Sequence, residues 1–389
     1  MKVYTVGDRY KNFEVTKSTE ISELKCQLTE LTHIPTGAVV MHLANDDPEN
    51  LFCLSFQTRP DSSNGVAHIL EHTVLCGSEK FPVKDPFFAM TRRSLNTFMN
   101  ALTGQDFTCY PAASQVSKDF YNLLEVYLDA VFFPHLRELS FMQEGHRLEF
   151  TEPSNSDSPL LYKGIVYNEM KGAMSSHNSR LHESLFSVLF PDITYGKNSG
   201  GDPKEIPSLT YQGLLDFHHE YYHPSRCLFF FYGDLPLEEK LDFLAVHTLD
   251  KTTPLPPLPP MPKQVRFNAP KRVEASYPIS EEEKEQAQTY ISFAWLTASV
   301  LDQEELLALC IIEIVLMDTD ASPLKMAFLK SGLCTQATAY IDPEISEAPV
   351  VITLRGCDPS SADALQEIMN STLRAVVKNG IPKNLIDNA

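Results

Sequence analysis

Between Thr252 and Pro270 the chain reads TTPLPPLPPMPKQVRFNAP, with seven prolines from Pro254 to Pro270. No other stretch restricts the fold as strongly. Proline fixes φ, lacks the N–H that helices and inner strands need, and clashes with the preceding turn. The segment therefore forms a stiff, extended connector, and whatever lies on either side must bury a core of its own. At 389 residues the chain also exceeds the roughly 250–300 that one core accommodates. We expect a first domain over 1–251, a linker over 252–272, and a partial second domain over 273–389. A proline-rich segment can also act as a ligand for an aromatic-lined groove.

Hydrophobic spacing predicts strands over 38–42, 51–58 and 227–232, and helices over 65–76, 117–130, 164–190 and 211–222. Beyond the linker, 289–296 and 350–355 read as strands, and 303–317, 323–330 and 361–379 as helices. Mixed elements on both sides indicate two α+β units. Residues 383–389 begin a helical pattern without a stop signal, which suggests a fragment of a longer protein.

Composition narrows the function. With 43% hydrophobic and 21% charged residues, the chain is globular rather than disordered. Lys and Arg total 32 against 51 Asp and Glu, a net charge of −19. That balance argues against nucleic acid or an anionic membrane as a partner and suits cationic peptides. The longest apolar stretch, 308–317, is interrupted by Glu313 and too short to span a membrane. The first residues carry no secretory pattern, so a cytoplasmic location is expected unless an organellar leader has been removed. Eight cysteines without a C-x-x-C pair fit a reducing compartment.

The chemistry concentrates in His68-Ile69-Leu70-Glu71-His72. On a helix, His68 and His72 lie one turn apart on one face, so both imidazoles can reach a single ion. Glu71 is offset from that face, which suits a carboxylate acting on a water rather than a ligand. Ser62, Ser63 and Asn64 offer caps, Gly77 offers a stop, and Val66, Ile69, Leu70, Val74 and Leu75 imply burial. Two core histidines bonded to their neighbours are the alternative. A second pattern, His219-Glu220-Tyr221-Tyr222-His223, has the opposite-order zinc spacing. Pro224 follows it directly and pushes His223 out of helical geometry, so we read this segment as structural. A zinc peptidase needs a third ligand. Cys76 lies about 12 Å from His68 along the helix and cannot share the ion. Spacing leaves Glu125, Glu144, Glu169 and Glu183 open.

Further stretches carry a family resemblance: HILEHTVLCGS over 68–78, KDPF over 84–87, LNTFMNALT over 95–103, GIVYNEMKG over 164–172 and SGGDP over 199–203. YHPS over 222–225, SPL over 322–324 and KSGL over 330–333 extend it. The chain resembles the pitrilysin/insulinase metallopeptidases, with their inverted zinc motif, and within them the presequence-protease and falcilysin branch. The resemblance implies a catalytic α/β sandwich followed by part of a related α+β domain. It implies Glu169, 97 residues after His72, as the third zinc ligand beside His68 and His72, with Glu71 as the base. It makes Asn100, Ala101, Leu102 and Thr103 a substrate-facing edge strand that an extended peptide could join, and Asn168 is expected to orient Glu169.

The function so implied is that of a zinc endopeptidase acting on short unstructured peptides inside a chamber, with one zinc per catalytic domain. The family places four such domains in two bowls and draws an arginine and a tyrosine of the active site from the C-terminal half. This chain alone is then expected to be a weak or inactive peptidase. A non-catalytic scaffold or partner subunit of the same superfamily is the alternative, although a scaffold has no need of Glu71.

Overall fold

Burial alternates residue by residue along Asn50–Phe56 and Cys227–Gly233, the pattern of strands covered on one side. In the computed structural model, which describes residues 3–279 and 288–388, such strands build the larger of two compact units. The first unit comprises Met1–Ser179 with Lys197–Pro260, the second Arg180–Gly196 with Met261–Ala389. The division falls inside the proline-rich segment, and residues 180–196 group with the second unit.

The first unit contains strands β1 (Arg9–Tyr10), β2 (Phe13–Ile21), β3 (Cys26–His33), β4 (Val39–Ala44), β5 (Asn50–Phe56), β6 (Asn96–Met99), β7 (Leu102–Thr103) and β8 (Thr108–Ser114). A separate ribbon pairs β9 (Arg147–Phe150) with β10 (Leu160–Lys163), and β11 (Cys227–Gly233) returns to the main sheet. The order across that sheet is β1-β2-β3-β4-β11-β5-β8-β6, with β7 also on β8. The late strand β11 enters the middle, parallel to β4 and antiparallel to β5. Because β6 and β7 pair with β8 in succession, residues 96–103 form the outer edge, interrupted at Asn100 and Ala101.

The helices before the linker are α1 (Val66–Val74), α2 (Pro86–Arg93), α3 (Ser117–Phe132), α4 (Glu138–Glu144), α5 (Ile165–Ala173), α6 (His177–Leu189), which from Arg180 onward groups with the second unit, α7 (Tyr211–Tyr221) and α8 (Leu237–His247). Inserting β11 between β4 and β5 draws the preceding α7 against α1, which also touches α4. Phe52, Phe56, Phe120, Tyr127, Phe229 and Phe231 fill the space between sheet and helices. Phe56 stacks on Tyr222 with ring centroids 4.5 Å apart. The single helix expected over 164–190 is two. Ser175 turns its hydroxyl back onto Gly172 O at 2.6 Å, the local competition by which serine ends a helix.

The proline segment is extended as expected, with neither helix nor strand over 252–279, but it does not hang free. Arg226 donates from Nε and Nη2 to Pro256 O, and Arg59 donates from Nη1 to Pro259 O at 2.6 Å. Two prolyl carbonyls are thus occupied within the first unit.

The second unit pairs β12 (Thr289–Ser299), β13 (Gln336–Ile341) and β14 (Glu347–Cys357) antiparallel in the order β12-β14-β13. Its helices are α9 (Gln303–Met317), α10 (Pro323–Lys330), α11 (Ala362–Asn379) and α12 (Lys383–Asn388). Leu324, Phe328, Leu354 and Leu365 are buried in its core. Both units mix helix and sheet, in agreement with the α+β reading.

Candidate metal centre

α1 starts after Gly65, whose φ of +72° suits glycine, and Asn64 Oδ1 caps the next N–H, that of Val66, at 3.0 Å. Val66, Ile69, Leu70 and Val74 are buried, which fixes the helix's rotation. His68 and His72 then share a face, with ring centroids 5.0 Å apart. α5 brings Glu169 to them: its Oε2 lies 3.8 Å from His68 Nε2 and 3.9 Å from His72 Nε2. All three donor atoms fall within 4.8 Å of one another, and no other cluster of three such donors occurs among the described residues. A tetrahedral site with arms of ~2 Å has edges of about 3.3 Å, so a modest closing movement completes it. Glu169, with a side chain 56% exposed, can supply the part of that movement that concerns its own distances to the imidazoles.

The ring nitrogens facing away are held by groups that sequence spacing did not identify in this role. His68 Nδ1 lies 3.1 Å from Gly200 O, and His72 Nδ1 lies 3.1 Å from Glu144 Oε2. Each bond requires the proton on Nδ1 and so presents Nε2 as the lone-pair donor, the tautomer a metal needs. Glu144, left open above as a ligand, therefore serves the outer side of His72. Gly200 lies in the SGGDP stretch, which also receives the start of α1: Asp202 N–H donates to Ser63 O at 2.7 Å.

Electrostatics favour a cation here. Burial pulls the His72 pKa down, but the Glu144 bond and the charges of Glu71, Glu144 and Glu169 outweigh it and raise the imidazole above its ordinary value. Burial pushes Glu144 up, yet bonds from His72, Gln143 and Cys76 leave it below the usual range. The Cys76 thiol, driven to about 12 by burial and by Glu144, points its S–H at His72 O and Glu144 and is not a ligand.

Glu71 is 7% exposed and accepts a 2.6 Å bond from Thr103 Oγ1. Of the other residues expected at the edge, Asn100 donates its N–H to Pro111 O, Ala101 packs against the core, and Leu102 is 46% exposed. Asn168, expected to orient Glu169, is exposed on α5. In the competing pattern, α7 ends at Tyr221 and His223 is extended at φ −121°, its Nδ1 bonded to Ser225. Tyr222 is buried there with its hydroxyl on Tyr110. Two imidazoles and a carboxylate with correctly held tautomers fit one divalent ion at α1 and none at His219 and His223.

Residues 57–175 match the family described as insulinase (peptidase family M16), and residues 208–389 match the peptidase M16 inactive domain. The mitochondrial presequence protease of Xenopus laevis is 41% identical over 99% of this chain and 38% of its own length. Presequence protease 1, chloroplastic/mitochondrial, of Arabidopsis thaliana is 38% identical over 96% of this chain and 35% of its own length. The chain thus spans little more than a third of these relatives. A crystal structure of a protease from Helicobacter pylori aligns with a TM-score of 0.67 over 92% of this chain and 82% of its own, at 17% identity, a likeness of fold.

The expectation of a cytoplasmic location is corrected by these relatives, whose names are organellar and, in the frog protein, mitochondrial. Imported proteins lose their leader, so the first residues of a chain do not report its compartment. No helix among the described residues is long and apolar enough to cross a membrane.

Proposed function

The chain belongs to the insulinase family of peptidases, M16, and on that premise we propose that it is the metal-bearing part of a zinc endopeptidase that cuts short, unstructured peptides within an enclosed chamber. Catalysis is assigned to residues 1–251. The observation that carries the reading is the convergence of His68, His72 and Glu169 beside a base, Glu71, that belongs to none of the three donor positions. Bound there, zinc supplies a Lewis acid for the scissile carbonyl and a water of lowered pKa.

The chain's own residues do the rest. Gly200 O and Glu144 hold the two imidazoles in register. Glu71 takes the proton of the attacking water and passes it to the leaving amine, which departs neutral. An extended peptide joins the outer edge at Asn100, Ala101, Leu102 and Thr103 through main-chain bonds, so affinity depends little on sequence. The net charge of −19 gives basic peptides an advantage that added salt removes. Like the relatives named for that organelle, the protein is assigned to the mitochondrion.

Metal analysis tests the reading most directly. His68→Ala is expected to lose zinc and peptide hydrolysis together, while His219→Ala keeps both. Zinc retained in the first variant or lost in the second would move the centre elsewhere.

A further inference from the structure

We infer that Thr103 is a positioning residue for the base, fixing from the substrate-facing edge which carboxylate oxygen of Glu71 meets the attacking water. The inference deepens the reading of Glu71 given above and rests on it. Thr103 Oγ1 lies 2.6 Å from Glu71 Oε2, across 32 residues of sequence. An ionised carboxylate only accepts, so the hydroxyl donates, and the distance is that of a charge-assisted O–H···O⁻ bond. Among the described residues, no other side chain donates to Glu71.

Without that bond nothing polar fixes the terminal torsion of Glu71, which is intrinsically broad. With it, Oε2 is engaged and Oε1 is the oxygen left for water. The donor is itself well held. Thr103 is β-branched, with restricted χ1, and its strand is paired with β8 through Thr103↔Thr108 and Leu102↔Cys109.

The placement links two events. Residues 96–103 are the outer edge of the nine-stranded sheet, and β7 is the part of that edge beside α1. The edge that pairs with the peptide backbone also carries the donor that orients the base. Main-chain bonds hold the peptide and the hydroxyl acts on Glu71, so the loss belongs in turnover rather than in peptide affinity.

Wild type, Thr103→Val and Thr103→Ser are compared in the complete polypeptide that carries this chain, on one unstructured peptide. Zinc content and thermal midpoint are measured alongside. Valine keeps the shape and removes the donor, so kcat is expected to fall roughly 10- to 100-fold, with KM within about twofold and zinc unchanged, while the thermal midpoint falls by roughly a few degrees at most because a buried carboxylate loses its donor. Serine restores the donor and is expected to recover most of kcat. An undiminished kcat in Thr103→Val overturns the inference. So does a change confined to KM, which would make Thr103 a peptide contact, or a serine variant as slow as valine, which would show that restoring the hydroxyl does not restore the base. Glu71→Gln is the separate control. If it cuts at the wild-type rate, the base assignment fails and Thr103 falls with it, an outcome distinct from the other three.

Discussion

Glu71 and Glu169 are carboxylates beside the same two imidazoles, yet their surroundings suit them to the different roles proposed for them. Glu71 is 7% exposed and tied to a hydroxyl, whereas Glu169 has a side chain 56% exposed and faces both Nε2 atoms. A fixed, buried carboxylate suits repeated proton transfer, and an accessible one suits closing onto an ion. Substituting glutamine therefore separates the roles. Glu71→Gln keeps all three proposed ligands, so zinc content is expected to hold while peptide hydrolysis drops by at least about 10²-fold, the usual worth of a positioned base. Glu169→Gln exchanges the proposed anionic ligand for a neutral amide, so zinc is expected to dissociate more readily in a chelator competition. Zinc lost from the first variant, or unchanged affinity in the second, would reverse the assignment.

At the scale of elements, the site depends on how closely α1 approaches the 199–203 loop. A Cβ on Gly65 would sit 3.0 Å from Gly200 O, the carbonyl that holds His68, and the backbone there has φ +72°. Gly65→Ala is expected to cost about 1–3 kcal/mol in denaturant unfolding and to weaken zinc binding as the carbonyl is pushed aside. A different pairing sets a pH response in the sheet. Lys240 of α8 is fully buried with Nζ 3.0 Å from His42 Nε2, and burial lowers its pKa to about 7, against the opposing charges of Asp234 and Glu239. The unfolded chain keeps this proton to about 10.5, so it binds more protons than the folded chain between those values, and stability climbs with pH across that window. Lys240→Met removes the titration. Its stability relative to wild type should be greatest near pH 7 and decline toward pH 10, by up to about 1.4 kcal/mol per pH unit; a flat difference between the two melts would contradict this. α1 was legible because two histidines four apart need a shared partner on a buried helix. β8 was not, because Pro111 occupies a strand paired on both sides. Pro111 O accepts the Asn100 N–H, and a residue's N and C=O point the same way in a strand, so the missing N–H faces the interruption between β6 and β7. Glu144 and Gly200 were hidden for another reason. Their roles come from contacts 72 and 132 residues away in sequence, which no local period records.

At the scale of the whole molecule, the metal site and the means of using it separate. His68, His72, Glu169, Glu71, Glu144, Gly200 and Thr103 all lie in the first unit, so this chain by itself is expected to bind one zinc. The relatives are more than twice as long, and the family resemblance places an arginine and a tyrosine of the active site in the remaining part. Losing one donor to a developing oxyanion typically costs about 10²–10³ in rate. A peptide on an open edge also pays its ordering cost without an opposing wall to offset it. The second unit adds a further handicap in isolation. α9 carries apolar residues around its circumference, and Leu307 and Ile312 are 62% and 41% exposed, a surface that favours self-association. The chain and the complete polypeptide should therefore be assayed on the same unstructured peptide at equal zinc occupancy, with the chain's mass followed by sedimentation. The chain is expected to hold zinc, to associate as concentration rises, and to turn over at least about 10²-fold more slowly. Equal rates would mean that the first unit stabilises the transition state unaided, and that the edge at 96–103 binds peptide productively without a facing wall.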